Sequence, residues 1–272
     1  MTQSLKSITV GCVGLGNMGS AIVRRLSNTM PGDNIFGFDI DEEKTTRLAS
    51  SSGIHPITNL TEITEKCDYI ILAVKPDMIT GVTTELKDIL KPHTVLISIA
   101  AGISNAVIES SLNKKHKILR CMPNTPSLVG EGMLVLSPNA EMDEKSINVA
   151  HAIFSVLGKV LILPEKMMDA VTGVSGSGPA YVFTMINAMA DGAVRMGIPR
   201  NEALTLATQT VYGAAKMVLE TGEDPIVLRG KVTSPGGTTI EGVFELEDAG
   251  FSGTVMRAIE SATIKSRQLG AR

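Results

Sequence analysis

Ile8-Thr9-Val10-Gly11-Cys12-Val13-Gly14-Leu15-Gly16-Asn17-Met18-Gly19 is the stretch on which the reading of this chain turns. Ile8 to Val13 is a short apolar run rich in β-branched residues, the pattern of a buried strand. Glycines at 14, 16 and 19 follow it, and helical spacing sets in from Met18 to Asn28. Strand, glycine turn and helix in that order fit the mechanism that holds a dinucleotide. Gly14 makes the tight turn, Gly16 lets a pyrophosphate approach the backbone, and Gly19 lets helix and strand pack closely. The phosphates then lie at a helix N-terminus, where unpaired N–H groups and the helix dipole favour negative charge. Asp39 falls about 20 residues on, where a carboxylate accepts both ribose hydroxyls. It would repel a 2′-phosphate, which favours NAD(H) over NADP(H). Lys44 and Arg47 follow on the next helix and read as a solvated face, so use of both coenzymes stays open.

Outward from this unit, strand-like and helix-like stretches alternate. Asn34–Asp39, Tyr69–Val74, Thr94–Ala100, Lys117–Met122, Met133–Ser137 and Lys159–Leu163 are short β-rich runs. Asp41–Ser50, Pro76–Leu90, Ser104–Leu112 and Asp143–Leu157 have helical spacing. The alternation predicts an α/β domain over residues 1–163, with a mainly parallel sheet covered on both faces. After Pro164 the strand signal disappears. Proline starts and glycine stops frame helices over Pro179–Gly197, Pro199–Gly222 and Asp224–Gly230, then Thr239–Ala249 and Thr254–Leu269. Residues 164–272 are therefore expected to be all-helical. Met185, Ala188, Met189, Ala193 and Val194 lie on more than one face of their helix, and a helix apolar on several faces must be covered on several sides. About 100 residues of helix cannot bury that much surface alone, so a dimer interface is expected.

Composition narrows the function. The chain has 272 residues, 43% hydrophobic and 19% charged, with a formal net charge of −3. It is long enough for a sizeable core and too apolar for disorder. It offers no basic field for nucleic acid. The longest apolar run, Tyr69 to Val74, is too short to cross a membrane, and Met1 to Val10 carries no apolar signal core. Cys12, Cys67 and Cys121 lie far apart without a CxxC pair, so free packed thiols in a reducing cytoplasm are expected, and no metal site. Four His, three Tyr, six Phe and no Trp leave few conventional catalytic groups.

Several loops remain as carriers of chemistry. Ala73-Val74-Lys75-Pro76 closes a strand at the edge where dinucleotides bind. Lys75 reads either as a catalytic ammonium or as a residue shaping the backbone before Pro76. Ile99-Ala100-Ala101-Gly102 ends a strand with small side chains that suit a flat nicotinamide ring. In Arg120-Cys121-Met122-Pro123-Asn124-Thr125-Pro126 the prolines fix a rigid turn, which reads equally as a ligand contact through Asn124 or Thr125 or as a structural turn with Asn124 capping its own backbone. Ser175-Gly176-Ser177-Gly178-Pro179 and Thr233-Ser234-Pro235-Gly236-Gly237-Thr238-Thr239 each place hydroxyls before a helix N-terminus. Each is consistent with simple capping; together they suggest a pocket for a small carboxylate.

These motifs in order, GLGNMG, AVKP, SIAAG, RCMPNTP, DAVTGVSGSGPAYVF (169–183), DGAVRMG (191–197) and TSPGGTT, closely resemble the pyrroline-5-carboxylate reductases from Gly14 to about Leu269. The last loop motifs are the specific ones. The resemblance implies a Rossmann-type domain joined to a helical substrate-binding and dimerisation domain, in a homodimer or a higher ring such as a decamer. It implies hydride transfer from NADP(H) or NAD(H) to the C=N carbon of 1-pyrroline-5-carboxylate, giving L-proline. Val13, Gly14, Leu15, Gly16, Asn17, Met18, Asp39, Asn59, Ala73, Val74, Lys75, Pro76, Ile99, Ala100 and Ala101 match the family's cofactor contacts. Ser234, Gly237, Thr238 and Thr239 match its substrate loop, with Thr239 as the hydroxyl at the ring nitrogen and Glu165 at the pocket edge. Asp39 departs from the neutral or basic residue often found there in NADPH-preferring members. A related hydroxyacid dehydrogenase would need a catalytic Lys on the helix from Tyr181 to Arg195, which has none. A non-catalytic NAD(P) sensor has no use for the TSPGGTT loop.

Overall fold

The computed structural model describes residues 5–270. One sheet of eight strands organises the N-terminal part: β1 (Val10–Val13), β2 (Ile35–Phe38), β3 (His55–Pro56), β4 (Tyr69–Leu72), β5 (Val95–Ser98), β6 (Ile118–Met122), β7 (Gly132–Pro138) and β8 (Gly158–Ile162). Their order is β3-β2-β1-β4-β5-β6-β7-β8. Neighbours are parallel except β6 and β7. β1, β4 and β5 are buried along their whole length, which is why they read as unbroken apolar runs. Successive side chains alternate between two cores. On β4, Tyr69 and Ile71 join one cluster with Ile22, Leu26 and Phe154, while Ile70 and Leu72 join another with Ile63 and Ile79.

The helices of this part are α1 (Asn17–Ser27), α2 (Glu42–Ser52), α3 (Leu60–Lys66), α4 (Ile79–Leu86), α5 (Asn105–Leu112) and α6 (Glu144–Ser155). Asp41, Ser104 and Asp143 cap α2, α5 and α6 by accepting a backbone N–H from the first turn. Phe154 on α6 is fully buried in the first cluster. Phe154→Ala should therefore destabilise the fold by about 3–5 kcal/mol, read as a lower urea midpoint with an unchanged slope.

The helical part follows: α7 (Met168–Val171), a π-helical turn over Thr172–Gly176, α8 (Gly178–Arg195), α9 (Arg200–Thr221), α10 (Pro225–Lys231), α11 (Thr238–Asp248) and α12 (Phe251–Gly270). By packing, the chain forms two compact units. One comprises the residues up to Gly176 with those from Ser261 on; the other is Ser177–Glu260. In the second unit the buried cluster is Ala190, Ala203 and Ala207, where α8 meets α9. Large apolar side chains there stay exposed: Phe183 at 60%, Phe244 at 61% and Met256 at 70%. Exposed apolar surface on this scale marks an interaction face.

The structure adds elements that spacing did not reveal. β3 and α3 occupy residues 55–66, which carry no clear period. The helix expected over Pro76–Leu90 is a 3₁₀ turn (Pro76–Met78) followed by α4. The last helix begins at Phe251 rather than Thr254, because Gly250 alone makes the turn at φ +71°. β7 runs antiparallel because the β6–β7 link is too short for a crossover.

Candidate active site

The sheet reverses its order at β1, with β2 on one side and β4 on the other, and the carboxyl ends of these three strands open a cleft of about 310 Å³. In an open α/β sheet this is where a ligand binds. Val13 and Gly14 leave β1 into it, Asp39 leaves β2, and Ala73, Val74 and Lys75 leave β4. Gly14 turns at φ +93°, its N–H donates to Phe38 O at 2.8 Å, and a Cβ on it would meet the Ala73 backbone at 2.8 Å. Only glycine satisfies both demands.

Gly16 is the N-cap of α1, extended, with no side-chain cap on the helix and no neighbouring atom within 4 Å of where its Cβ would stand. The first-turn N–H groups of α1 have no intrahelical partners, and Gly16 brings this helix start to the edge of the cleft. A Cβ on Gly19 would fall 2.0 Å from Gly14 O, which explains the third glycine as a close approach of helix to turn. Open space at Gly16, close packing at Gly19 and a carboxylate at Asp39 fit a dinucleotide.

Asp39 is held from both sides. Its Oδ2 accepts the Leu15 N–H at 2.7 Å and its Oδ1 accepts the Asp41 N–H at 2.9 Å. Lys44 Nζ stands 3.8 Å from Asp39 Oδ1 and 3.4 Å from Asp41 Oδ2. Lys44 lines the cleft, so the expectation of a merely solvated face gives way: three residues past its cap, α2 turns this side chain back towards Asp39. Phe38, Ile40, Met78 and Val82 add an apolar wall that the sequence did not single out. Beneath the glycine turn, burial pushes the Cys12 thiol up to about 12, with Asp39 adding to the rise, so the thiol stays protonated.

Other expected contacts are more dispersed. Asn59 caps α3, accepting the Glu62 N–H at 2.9 Å. Ile99 N–H donates to Leu72 O at 3.1 Å and Ala100 N–H to Ser98 Oγ at 3.3 Å, at the end of β5 beside β4. Pro76 opens the 3₁₀ turn, with Lys75 O accepting the Met78 N–H at 3.0 Å. Asn59, Pro76, Ile99, Ala100 and Ala101 are not among the residues lining the cleft, nor are Leu15, Asn17 and Met18.

Glu165 is engaged within the first unit. Its Oε1 accepts the Asn105 N–H at 2.7 Å, at the start of α5, and lies 3.6 Å from the guanidinium of buried Arg120. Asn124 does not cap its own backbone turn as expected: its amide donates to Ser175 O at 3.0 Å and its carbonyl accepts the Met133 N–H at 2.9 Å, so it ties separate segments together. Ser175 donates to Val171 O at 3.0 Å within the π-helical turn. Its hydroxyl is thereby committed to its own backbone and Thr172–Gly176 is helical, while Ser177, the N-cap of α8, makes no side-chain cap bond.

The second unit carries the other candidate group. Gly236 turns at φ +64°, and Gly237, extended, is the N-cap of the eleven-residue α11 without a side-chain cap. Gly237 N–H donates to Ser234 O at 3.1 Å, closing the turn. Ser234, Thr238 and Thr239 are exposed. Backbone N–H groups and two threonine hydroxyls thus share one helix start, an arrangement that can receive a small carboxylate. Among the described residues no cluster of His, Cys, Asp and Glu could hold a metal ion, and no helix is long and apolar enough to cross a membrane.

Comparison with known proteins gives these arrangements a context. Residues 165–269 match the model of pyrroline-5-carboxylate reductase dimerisation, and residues 9–102 that of NADP oxidoreductase, coenzyme F420-dependent. The chain is 41% identical to the pyrroline-5-carboxylate reductase of Methanosarcina acetivorans over 263 residues, covering 96% of this chain and 97% of that protein. Among solved structures it matches that of the Coxiella burnetii pyrroline-5-carboxylate reductase with a TM-score of 0.92 at 34% identity, over 97% of this chain and 99% of that one. The Plasmodium falciparum pyrroline carboxylate reductase, solved with NADP bound, matches with a TM-score of 0.87 at 34% identity, over 98% and 99%.

Proposed function

The chain belongs to the pyrroline-5-carboxylate reductase family, and on that premise we propose that it reduces 1-pyrroline-5-carboxylate to L-proline, the last step of proline biosynthesis, with NAD(P)H as hydride donor. The observation that carries the reading is the start of α11, where a glycine turn and two threonines leave a helix N-terminus without a side-chain cap. A substrate that is a small carboxylate beside a C=N bond asks for such a group.

The bound coenzyme supplies the hydride; the protein's work is to hold and orient. In this reading residues 1–163 carry the coenzyme and residues 164–272 the substrate and the dimer contacts. Val13 to Met18, Asp39, Asn59, Ala73 to Pro76 and Ile99 to Ala101 serve the coenzyme. The N–H groups at Gly237 and Thr238 hold the substrate carboxylate, with Ser234 beside them and Gly237 sharing its N–H with Ser234 O. The Thr239 hydroxyl hydrogen-bonds the ring nitrogen. Glu165 lines the pocket, fixed by Asn105 and Arg120. No nucleophile is required, because a protonated imine is already electrophilic. The rate gain comes from proximity and orientation, which agrees with a chain poor in His. Lys75 then shapes the turn before Pro76.

A dimerisation region accounts for the apolar faces of Phe183, Phe244 and Met256. We take the assembly to be a homodimer, with a ring such as a decamer as its multiple, and the cytoplasm as its compartment.

The test follows nicotinamide absorbance with 1-pyrroline-5-carboxylate, its six-membered homologue and a 3-hydroxy acid. Oxidation of NADH or NADPH with the five-membered imine is expected, and a rate at least tenfold below it with the other two. No oxidation of either coenzyme by the imines defeats the proposal.

A further inference from the structure

The ribose end of the cleft has a charge pattern that bears on which coenzyme it takes. Asp39 is nearly buried, its side chain 10% exposed, and both its oxygens accept backbone N–H groups, from Leu15 and Asp41. Those two bonds fix the carboxylate in place. Each oxygen keeps a second lone pair, so the group still accepts from a ribose diol. It cannot swing aside for a larger, charged substituent without breaking a bond to the glycine turn itself.

Asp41, Glu42 and Glu43 follow immediately, so four carboxylates lie within five residues of chain around the start of α2. Lys44 is the cleft-lining cation there, and it is already shared between Asp39 and Asp41. Arg47, one turn further along α2, is exposed and does not line the cleft. A 2′-phosphate would bring about −1.5 to −2 charges into this corner. It would meet a fixed carboxylate, and it would have to draw Lys44 away from two existing partners.

We infer that the cleft takes NADH in preference to NADPH, and that Asp41, by holding Lys44, is a second specificity determinant beside Asp39. This rests on the dinucleotide reading of the cleft given above. Asp41 does not reach the coenzyme in this scheme; it acts through Lys44 and is a positioning residue. Asp39 excludes the phosphate directly, while the Asp41–Lys44 pair withholds the ammonium beside Asp39 that would welcome it.

The test titrates NADH and NADPH separately into the full chain, reading nicotinamide fluorescence, so that no imine turnover is needed. The unaltered chain should bind NADH at least tenfold more tightly than NADPH. Asp39→Asn keeps an oxygen that can accept from Leu15 while removing the charge, and it should narrow that ratio or reverse it. Asp41→Ser keeps a helix cap and frees Lys44, so NADPH should tighten several-fold relative to NADH. Lys44→Ala added to Asp41→Ser should undo that gain. A merely structural role for Asp41 would move the stability but not the ratio of affinities. Tighter or equal binding of NADPH by the unaltered chain overturns the coenzyme preference. An unchanged ratio in Asp41→Ser overturns the part given to Asp41. Binding of neither coenzyme removes the dinucleotide reading and this inference with it, whereas NADH binding without imine turnover defeats only the proposed reaction.

Discussion

Gly16→Val should leave the protein folded and take away its coenzyme. The N-cap of α1 is in the extended region, which valine adopts readily, and no atom lies within 4 Å of the position its Cβ would occupy. Valine is a poorer N-cap than glycine, which costs about 1 kcal/mol at most. The same open space is what a pyrophosphate needs in order to reach the N–H groups of α1. Three methyl-scale groups placed there would block charge-assisted hydrogen bonds worth about 1.5–3 kcal/mol each. A rise of about 100-fold in the dissociation constant, corresponding to about 2.7 kcal/mol, is expected for NADH and NADPH alike. Circular dichroism and the urea midpoint should stay close to those of the unaltered chain. Coenzyme binding within a few-fold of normal would show that phosphates do not lie on this helix. Gly14→Val would not separate the two effects, since positive φ and the Ala73 contact make that glycine structural.

Thr239→Ala should lower kcat by about one to two orders of magnitude, the scale of one hydrogen-bonding or acid–base group. Thr239 lies in the first turn of α11 and is exposed, and alanine is the better helix former, so the unit should not lose stability. Thr239→Ser keeps the hydroxyl and should retain much of the rate. Because the Thr238 N–H remains in both variants, KM should change less than kcat. Unchanged kcat and KM in Thr239→Ala would remove this hydroxyl from the reaction.

Much of the framework is legible before any coordinates, and the reason is local. The run Ile8–Val13, the glycine spacing and the helix that follows each carry their own signal, and the fully buried strands betray themselves as unbroken apolar runs. The helical half is equally plain, because proline and glycine mark its boundaries. What escapes notice is set by tertiary contacts. β3 has two residues, His55 and Pro56, and α3 seven; neither is long enough to show a period. The direction of β7 is decided by the length of its link to β6. Lys44 looks solvated because sequence spacing relates it to its own helix; only the folded turn brings Asp39 within reach. Ser175 differs for a similar reason: a hydroxyl is visible in the sequence, but whether a backbone group has already claimed it is not. Gly237 likewise looks like a free donor until the turn closes onto Ser234.

The last helix ties the ends of the first unit together. Ser266 Oγ donates to Asp169 Oδ1 at 2.7 Å, and Gly270 packs so closely on the turn at Gly102 that a Cβ there would meet Gly102 O at 2.5 Å. Residues from Ser261 onward belong to the same unit as the sheet, yet they are made after the whole of Ser177–Glu260. Domains tend to fold as they emerge, N-terminal part first, but this one completes its packing only with its final helical turns. During synthesis the turn that follows β5 stands without its brace until translation is nearly over. A chain cut short within α12 therefore carries every strand of the sheet but lacks the brace on Gly102, and it is expected to be cleaved by proteases faster than the full chain.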